Sequence, residues 1–482
     1  MNPVLSKEMT ARERVDAALA AIDTHDKDIN AFVQVTPELA YEAAERVDAR
    51  IGAGEVDQLG PLAGVPVSLK DNMNLVGSRM TCCSKMLENF ESVFTATAVK
   101  RLLDAGALPI GKCNLDELAF GSSTESSVFG PTHNPWNLEY VPGGSSGGSA
   151  ASVAARMVPI SLGSDTGGSI RQPGAFTATV ALKPTYGRVP RYGVAAFASS
   201  LDTVGPIANT VEDIALTLNV IAGQDGYDAT SAHIESGDYT AKLNVGVKGL
   251  RVALPIDFLE AEGLDPEIKQ GILKAVSALE AEGAHVEEIT LPHSEYALST
   301  YYTLSSAEAS SNLARLDGMR YGLRVDDATD VLDLYLRSRA EGFGPETVRR
   351  IVLGTHMLSA GHYDTYYDRA LRARTVIKQD IDKAFADYDI ILAPTTAAPA
   401  FRLDEKLHDP IEMYLSDTYT IPANLAGVPA LSLPMGLSCT GLPLGLQLMA
   451  SHFDEATLLQ TAAALERYFA FDMRPPHSVE AV

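Results

Sequence analysis

Apolar and polar positions follow two different periods along this chain. Between residues 10 and 53 the apolar positions have helical spacing: Val15, Leu19 and Ile22 lie in a first segment, and Leu39 to Ile51 continue the pattern in a second. Apolar residues repeated every three to four positions form one face of an amphipathic helix. The pattern therefore predicts two helices that form an N-terminal helical hairpin.

From Val65 onward the pattern changes to short apolar runs separated by helical stretches. Bounded runs rich in Val, Ile and Leu are typical of buried strands. The predicted strands are GVPVSLK, ALPIGK, VPISLG, LRVALP, DIILAP and PALSLPMG, and the predicted helices cover 95–105, 210–222, 266–282 and 454–468. Strands that alternate with helices predict an α/β fold whose sheet is covered on its faces.

Residues 299–388 have an almost wholly helical pattern that interrupts the strands. We interpret this block as a helical elaboration packed on the sheet. At about 150 residues per domain, a chain of 482 residues would make roughly three domains. No repeat, charge block or low-complexity linker divides the sequence, so it favours one large domain. The predicted organisation is an N-terminal helical segment at 1–60 packed on a single domain at 61–482.

Composition and charge limit the possible classes of function. Hydrophobic residues make up 46% of the chain and charged residues 21%, which are the proportions of a folded globular protein. The 62 acidic residues outnumber the 38 basic ones, for a formal charge of -24. A surface this acidic repels phosphate backbones over most of its area. If nucleic acid takes part in the function, we expect another chain to hold it.

The sequence also predicts a cytoplasmic protein without membrane contact. The N-terminus carries charged side chains from Lys7 to Arg14 with no apolar stretch between them, so it does not resemble a secretory signal. No uninterrupted apolar run approaches the roughly 18 residues that a membrane span needs. Cysteines occur without a CxxC pair, which predicts buried, reduced thiols rather than a disulfide framework. They are Cys82, Cys83, Cys113 and Cys439.

Two loops rich in glycine and serine are the most unusual segments of the sequence. PGGSSGGS at 142–149 and SDTGGSIRQPG at 164–174 flank an Ala-rich helical segment and the run VPISLG. So much glycine permits close backbone approach and unusual φ/ψ values. Loops that flank one helix and one strand can meet at the end of a sheet, although either loop alone also fits a tight turn or a flexible link.

Three short motif matches point to other chemistries, and the surrounding sequence argues against each. Gly143 to Gly147 matches the G-x-S-x-G nucleophile elbow, but NLEYVP precedes it where that motif needs a buried strand. GALPIGKC at 106–113 has Cys where a phosphate-binding loop has Ser or Thr, and its interior predicts a strand. The ten histidines are scattered without metal-ligand spacing, so no metal site is expected.

Lys70 is the candidate base for a serine nucleophile, because no histidine can be assigned from spacing. Burial disfavours the charged ammonium and lowers a lysine pKa toward neutrality, so a desolvated lysine can accept a proton. Lys70 ends the apolar run GVPVSLK and precedes the polar Asp71 and Asn72. Open α/β sheets place their sites at such strand ends. A lone lysine there is also compatible with a solvated surface position.

Together these segments resemble the amidase signature family. The resemblance rests on GVPVSLKD, GGSSGGS and DTGGSIRQP in this order and runs from about residue 10 to 470. It implies the amidase signature fold, a mixed and twisted β-sheet covered by helices on both faces. It also implies a Ser-Ser-Lys triad in which Ser169 is the nucleophile, Ser145 the bridging serine at a cis peptide, and Lys70 the base. The backbone N–H groups of Thr166, Gly167, Gly168 and Ser169 are implied to bind the developing oxyanion.

Further segments resemble one branch of the family, the glutaminase subunits of tRNA-dependent amidotransferases. They include VPRYGVAAFASSLDTVGP, SSAEASSNLARLDGMRYG and DPIEMYLSDTYTIPANLAGVPALSLPMG. The resemblance implies that this chain hydrolyses glutamine and supplies ammonia for the conversion of misacylated Glu-tRNA(Gln) to Gln-tRNA(Gln). In that branch a B subunit holds ATP, magnesium and most of the tRNA contact, and a C subunit completes a heterotrimer. No cofactor is expected on this chain.

Glutamine would need an acid for its α-amino group and an arginine for its α-carboxylate. By resemblance these are Asp417 and Arg350, with Tyr301 closing the pocket, and Ser123 and Thr124, beside Ser122, lining it. An arginine fork can donate two parallel hydrogen bonds to a carboxylate. Arg349 and Arg350 also fit charges on a helix surface, and Tyr302 is an alternative to Tyr301.

Two other functions stay open at this point. A free-standing amidase for small aliphatic or aryl amides would use the same triad without Arg350 and Asp417. A noncatalytic scaffold would keep the fold alone.

Overall fold

The structure is a computed structural model that describes residues 8–471 and 474–479. The remaining residues, 1–7, 472–473 and 480–482, lie outside the described part. They include Lys7, the first of the charged residues on which the prediction of no secretory signal rests. They also include the ends of both predicted domains, whose division at residue 60 stays a prediction.

One mixed sheet of eleven strands runs through the described part of the chain. The strands are β1 Phe32–Val35, β2 Pro66–Lys70, β3 Leu108–Cys113, β4 Ile160–Asp165, β5 Val180–Lys183, β6 Thr203–Ala208, β7 Arg251–Pro255, β8 His285–Ile289, β9 Ile390–Pro394, β10 Ala430–Leu437 and β11 Pro443–Ala450. Their spatial order is β1-β3-β2-β4-β6-β5-β10-β11-β9-β7-β8. The pairs β2/β3, β2/β4, β7/β8 and β7/β9 are parallel, and the other pairs are antiparallel. All six strands predicted from the sequence are present.

Helices cover both faces of this sheet. They are α1 Ala11–Ile29, α2 Pro37–Gly52, α3 Thr97–Asp104, α4 Gly147–Ala154, α5 Arg171–Thr177, α6 Val211–Ile221, α7 Ile256–Leu259, α8 Pro266–Ala281, α9 Ala297–Asn312, α10 Val331–Gly342, α11 Pro345–Leu358, α12 Arg369–Asp387, α13 Pro410–Leu415, α14 Ile421–Ala426 and α15 Glu455–Phe469. The four helices predicted between residues 95 and 468 correspond to α3, α6, α8 and α15. The predicted α/β fold class is confirmed.

Alternate residues of single strands face the two helical layers, as strand geometry requires. In β9, Ile390 and Leu392 join a core cluster with α3, α6, α8 and α15. Their neighbours Ile391 and Ala393 join a second cluster with α12 and α14 on the other face. A strand buried on both faces reads as a continuous apolar run, which is why β9 was recognisable in the sequence.

The N-terminal hairpin is present, but it is more than two helices. Thr10 caps α1, because its side chain accepts from the amide of Glu13 while the Glu13 carboxylate accepts from the amide of Thr10. Between α1 and α2 the chain forms β1, which pairs antiparallel with β3 and makes one edge of the sheet. The interpretation of 1–60 as helical is therefore corrected: this segment also contributes a strand.

The helical elaboration predicted at 299–388 corresponds to α9–α12. α9 packs against α11 and α12, and α10 packs against a short 3-10 turn at Lys85–Leu87. The helical prediction is wrong between residues 316 and 330, which are irregular. This elaboration supplies Tyr301, Tyr302 and Arg350 to the candidate site.

Three of the four cysteines are buried and all four are unpaired, but Cys439 is exposed. The prediction of buried thiols is therefore wrong for Cys439, which lies in the turn between β10 and β11, outside the core. None of the helices described here is both long and apolar enough to span a membrane.

Candidate active site

Parallel pairing of β2 and β4 places the two central segments of the site side by side. Val67 pairs with Ile160 and Leu69 with Leu162, so both strands end at the same edge of the sheet. Lys70 is the last residue of β2, and Asp165, the last of β4, leads into the loop that carries Ser169. The expectation that Lys70 ends a strand is confirmed.

Lys70 is completely buried and donates a 2.7 Å hydrogen bond from Nζ to Ser145 Oγ. It also donates to the backbone oxygen of Ser164 at 3.3 Å. Burial lowers the pKa of Lys70 to about 7, although the carboxylates of Asp116, Asp165 and Asp202 oppose this effect. A neutral amine at this position can accept the Ser145 proton.

The two glycine loops meet, as expected from their positions in the sequence. The amide of Ser146 donates to the backbone oxygen of Ser169 at 3.1 Å, and the Gly144–Ser145 peptide bond is cis. Ser145 is fully buried, whereas Ser169 is partly accessible, as a nucleophile that meets substrate must be. In the described part of the chain the Ser169 hydroxyl has no hydrogen-bond partner. The structure therefore forms the Lys70–Ser145 link and leaves the Ser145–Ser169 link unmade.

A buried ion pair braces the nucleophile loop from inside. Arg171 donates from Nε and Nη2 to the two carboxylate oxygens of Asp165, both at 3.0 Å. Burial alone would raise the pKa of Asp165, but the charge and hydrogen bonds of Arg171 outweigh it and lower this pKa to about 2. The Asp165 carboxylate also accepts from the Asn424 side chain and the Ile170 amide. This pair was not identified from the sequence, although Asp165 and Arg171 bracket the DTGGSIR motif.

The predicted oxyanion donors divide into two groups. The Gly168 amide donates to Asp165 Oδ1 at 2.9 Å. We therefore correct the prediction for Gly168, because its N–H is already used to hold the loop. The amides of Thr166, Gly167 and Ser169 have no acceptor among the described residues, so for them the oxyanion role stays a prediction. Gly167 leaves no room for a side chain, since a Cβ there would lie 2.5 Å from Tyr301 Cζ.

Arg350 lies inside the protein, not on a helix surface. Its guanidinium carbon lies 4.5 Å from the ring centroid of Tyr302 and 4.6 Å from that of Tyr414. Nε donates to Glu346 Oε1 at 2.6 Å, while Nη1 is buried without a partner. Arg349, the alternative in the sequence, is largely exposed and pairs with the same Glu346. Neither Glu346 nor Tyr414 was identified from the sequence, although Glu346 and Arg350 have the i, i+4 spacing of helical ion pairs.

Tyr302 connects Asp417 to Arg350, because its ring packs on the guanidinium and its hydroxyl bonds the carboxylate. The Tyr302 hydroxyl donates to Asp417 Oδ2 at 2.9 Å, and Ser122 Oγ contacts both carboxylate oxygens at 2.9 Å. Burial raises the pKa of Asp417 to about 7 despite these hydrogen bonds. Both tyrosines considered from the sequence lie at this site, since Tyr302 contacts Asp417 and Tyr301 packs on Gly167.

Thr420 connects the acid group to the nucleophile loop. Its hydroxyl lies 2.6 Å from the Gly167 backbone oxygen and 3.0 Å from that of Asp417. Arg350, Asp417 and the loop that carries Ser169 therefore belong to one continuous network. That network holds a cation, a carboxyl group and the loop of the candidate nucleophile, which are groups that can bind and cleave an amide of an amino acid.

Ser123 and Thr124 make hydrogen bonds that stabilise the backbone around Ser145. The amides of both residues donate to Asp116 Oδ2, at 3.3 and 2.9 Å. The Thr124 hydroxyl donates to the Gly143 backbone oxygen at 2.8 Å and accepts from the Gly147 amide. These bonds fix the loop that carries Ser145, so the contacts of Thr124 are structural and its predicted substrate contact stays a prediction.

A cavity of about 800 Å³ lies beside this network without containing Ser169, Arg350 or Asp417. Asn72, Ser164 and Asp202 are among its lining residues, so its floor reaches the strand ends next to Lys70. The candidate reaction centre therefore lies outside this cavity, at the Lys70–Ser145 hydrogen bond and the adjoining Ser169 loop.

The sequence of this chain is similar to known proteins over nearly its whole length. A family model described as Amidase matches residues 13–459, which hold every candidate site residue. This chain belongs to the amidase family. The amidase is 54% identical over 473 residues to the A subunit of the glutamyl-tRNA(Gln) amidotransferase of Carboxydothermus hydrogenoformans, an alignment that covers 98% of this chain and 97% of the relative.

Solved structures of the family share the fold of this amidase. The A subunit of the glutamyl-tRNA(Gln) amidotransferase of Thermotoga maritima matches with a TM-score of 0.80 and 39% identity, over 98% of each chain. The native peptide amidase of Stenotrophomonas maltophilia matches with a TM-score of 0.84 and 31% identity, over 99% of this chain and 97% of that one. The predicted amidase signature fold is thus confirmed, and the fold itself does not distinguish the amide substrates.

Proposed function

We propose that this amidase is the glutaminase subunit of a tRNA-dependent amidotransferase. The observation that carries the proposal is that Tyr302 packs on the Arg350 guanidinium and donates to the Asp417 carboxylate, while Thr420 links the Asp417 backbone to the Ser169 loop. A buried cation and a buried acid held together fit the α-carboxylate and α-amino group of an amino acid. Relatives named as A subunits of glutamyl-tRNA(Gln) amidotransferases, which align over nearly the whole chain, support the same conclusion.

The proposed reaction forms an acyl-enzyme. Ser169 Oγ attacks the side-chain amide carbon of glutamine and passes its proton to Ser145, while Ser145 passes its own proton to neutral Lys70. Rotation of the free Ser169 hydroxyl toward Ser145 would complete the relay. The protonated relay then returns a proton to the departing nitrogen, which leaves as ammonia. Water attacks the glutamyl ester by the same relay in reverse and releases glutamate, which regenerates Ser169.

Backbone amides would stabilise the charge that develops on the amide oxygen. Thr166, Gly167 and Ser169 supply the N–H groups that have no protein acceptor among the described residues. Loss of one such donor typically costs about 2.7 to 4 kcal/mol of transition-state stabilisation. The Asp165–Arg171 pair would hold these amides in place through its bonds to the flanking Gly168 and Ile170.

The remainder of the overall reaction is assigned to partner subunits. In the proposed cytoplasmic heterotrimer a B subunit would bind ATP and magnesium and most of the tRNA, and a C subunit would complete the assembly. The ammonia made here would convert misacylated Glu-tRNA(Gln) to Gln-tRNA(Gln) on the B subunit. The charge of -24 supports this division, because an acidic surface binds tRNA poorly. The phosphate-loop match at 106–113 coincides with buried strand β3, which leaves it no loop to cradle phosphate.

The test is co-expression with the B and C subunits of a glutamyl-tRNA(Gln) amidotransferase, followed by a transamidation assay on misacylated Glu-tRNA(Gln). We expect glutamine-dependent formation of Gln-tRNA(Gln), which Ser169→Ala abolishes with glutamine but not with ammonium chloride as nitrogen donor. Rapid hydrolysis of simple aliphatic or aryl amides by the lone chain, unaffected by Arg350→Ala, would instead identify a free-standing amidase. Unchanged transamidation by Ser169→Ala with glutamine alone would leave only a scaffold role.

A further inference from the structure

Side chains from two helices, α11 and α13, hold Arg350 in place. Of its three guanidinium nitrogens, only Nε donates to a described residue, and its acceptor is Glu346 Oε1. The same Glu346 oxygen accepts the Tyr414 hydroxyl at 2.7 Å. Tyr414 on α13 thus holds the Glu346 carboxylate, and this carboxylate in turn holds Arg350 on α11.

Two stacked rings pack against the guanidinium. Tyr302 and Tyr414 stack with their centroids 3.9 Å apart, and the Arg350 guanidinium packs against both. Arginine packs on aromatic rings through its planar, weakly hydrated group, which restricts rotation about the last side-chain bonds. Glu346 therefore fixes the position of Nε, and the tyrosine pair restricts the movement of the guanidinium.

This arrangement decides which edge of the fork stays open. A planar guanidinium offers a carboxylate either the Nε–Nη edge or the end-on Nη1–Nη2 edge. Glu346 occupies Nε, while Nη1 is buried without a partner and Nη2 donates to none of the described residues. This leaves the Nη1–Nη2 edge of the fork for a ligand carboxylate.

The geometry points to Glu346 as a positioning residue that sets the selectivity of this amidase for amides carrying an α-carboxylate. It acts through Arg350 and does not touch the substrate. Without its charge the guanidinium keeps its packing on the rings but gains a choice of orientations, so a carboxylate must order it on binding. This inference rests on the proposed function, because it takes glutamine as the ligand of Arg350.

The test compares Glu346→Gln with Glu412→Gln. The Glu346→Gln change keeps the size of the side chain and an oxygen for the Tyr414 hydroxyl but removes the charge that orients Nε. Glu412 lies exposed on α13, two residues from Tyr414, and is the matched control for the same chemical change. Both variants are made in the Ser169→Ala protein, co-expressed with its partner subunits, so that binding is measured without turnover.

The probes are L-glutamine and L-glutamine α-amide, which lacks the α-carboxylate. Calorimetry should show a dissociation constant for glutamine on the order of tenfold higher in Glu346→Gln, the usual size of one charge-assisted hydrogen bond. Binding of the α-amide should stay within about twofold, so the preference for the carboxylate falls by roughly the same tenfold factor. Glu412→Gln should change neither constant. Tyr414→Phe removes the hydroxyl that bonds Glu346 but keeps the ring. It should weaken glutamine binding less than Glu346→Gln does, and it should likewise leave binding of the α-amide nearly unchanged.

Two outcomes would overturn the inference, and they differ from failure of the proposed function. An equal rise for both probes would mean that Glu346 only supports the fold. Unchanged glutamine binding in both Glu346→Gln and Tyr414→Phe would mean that Arg350 needs no positioning. A Ser169→Ala parent that binds no glutamine at all would overturn the proposed function and this inference with it.

Discussion

The buried amine of Lys70 makes the pH dependence of catalysis the sharpest test of this site. Only the neutral amine can accept a proton from Ser145, and an amine is neutral above its pKa. Because burial lowers the pKa of Lys70 to about 7, kcat should rise as the pH increases through about 7 and then level off. A solvated lysine with the ordinary pKa of 10.5 would still be gaining activity at pH 9.5.

The size of the effect follows from the fraction of neutral amine. At pH 7 a lysine of pKa about 7 is half neutral, whereas one at 10.5 is neutral in roughly 3 molecules in 10,000. Burial therefore supplies roughly three orders of magnitude more base at this pH. Lys70→Met keeps an unbranched chain in the same space without a base. It should lower kcat by about 10² to 10⁴, the usual contribution of a positioned general base, and should remove the rise near pH 7.

The effect of Asp417 on the pH profile must be distinguished from that of Lys70, because both groups have a pKa of about 7. Asp417 must be ionised to bind an ammonium group, and burial raises its pKa to about 7, so glutamine binding also improves as the pH rises. The kcat value reports groups in the enzyme–substrate complex, where the ammonium keeps Asp417 ionised. The carboxylates of Asp116, Asp165 and Asp202 and the thiol of Cys83 also bear on Lys70. Burial raises the pKa of Asp116 to about 6, so this carboxylate is mostly ionised above pH 7, where we expect a single rise due to Lys70.

The assay is ammonia release at saturating glutamine between pH 5.5 and 9.5, with the partner subunits present. Binding of glutamine to Ser169→Ala over the same range separates Asp417 from Lys70. Lys85→Met, which removes an exposed lysine, is the control and should leave the profile unchanged. A kcat that does not vary with pH, or a rise near pH 7 that persists in Lys70→Met, would refute the role given to this amine.

Three further predictions test the groups around the triad. Ser169→Ala should release no ammonia from glutamine yet bind it with about the parent affinity; retained turnover would contradict its role as nucleophile. Asp116→Asn should shift the rise in kcat to lower pH, because Asp116 raises the pKa of Lys70; a shift to higher pH would refute this sign. Arg171→Met should destabilise the protein by about 3 to 5 kcal/mol in chemical unfolding, because Asp165 is left buried and unpaired; a loss below about 1 kcal/mol would contradict a central role for the pair.

The sequence was most informative where strands are buried on both faces. β9 and β10 are such strands, and their continuous apolar runs were recognised with nearly correct ends. Five strands were missed. β8 is the exposed edge HVEEI, and β1 and β5 have only four residues each. β6 and β11 were missed although all their residues are buried, so burial alone did not identify a strand. An edge strand has one neighbour and exposed side chains, so its sequence carries little apolar pattern. Pairing with a distant strand, not local preference, makes it a strand.

At the site, the sequence predicted the triad but not what holds it. The prediction that Gly168 binds the oxyanion failed because its amide is taken by Asp165, a contact that depends on the path of the loop in space. Glu346 was missed for a similar reason. Its i, i+4 spacing to Arg350 is common on exposed helices, and only the burial of Arg350 against two tyrosines distinguishes this pair.

Lys70 also shows why position along a strand does not identify a base. Lys183 ends β5 just as Lys70 ends β2, and burial likewise lowers the pKa of Lys183 to about 7. Lys112, the penultimate residue of β3, is equally buried. What separates the three is the partner of the amine: Lys183 donates to the Pro184 backbone oxygen and Lys112 to the Asp71 carboxylate, neither of which can give up a proton when a substrate is attacked. Of these three lysines only Lys70 is bonded to a hydroxyl, that of Ser145, so only there does a neutral amine have a proton to accept in the proposed reaction.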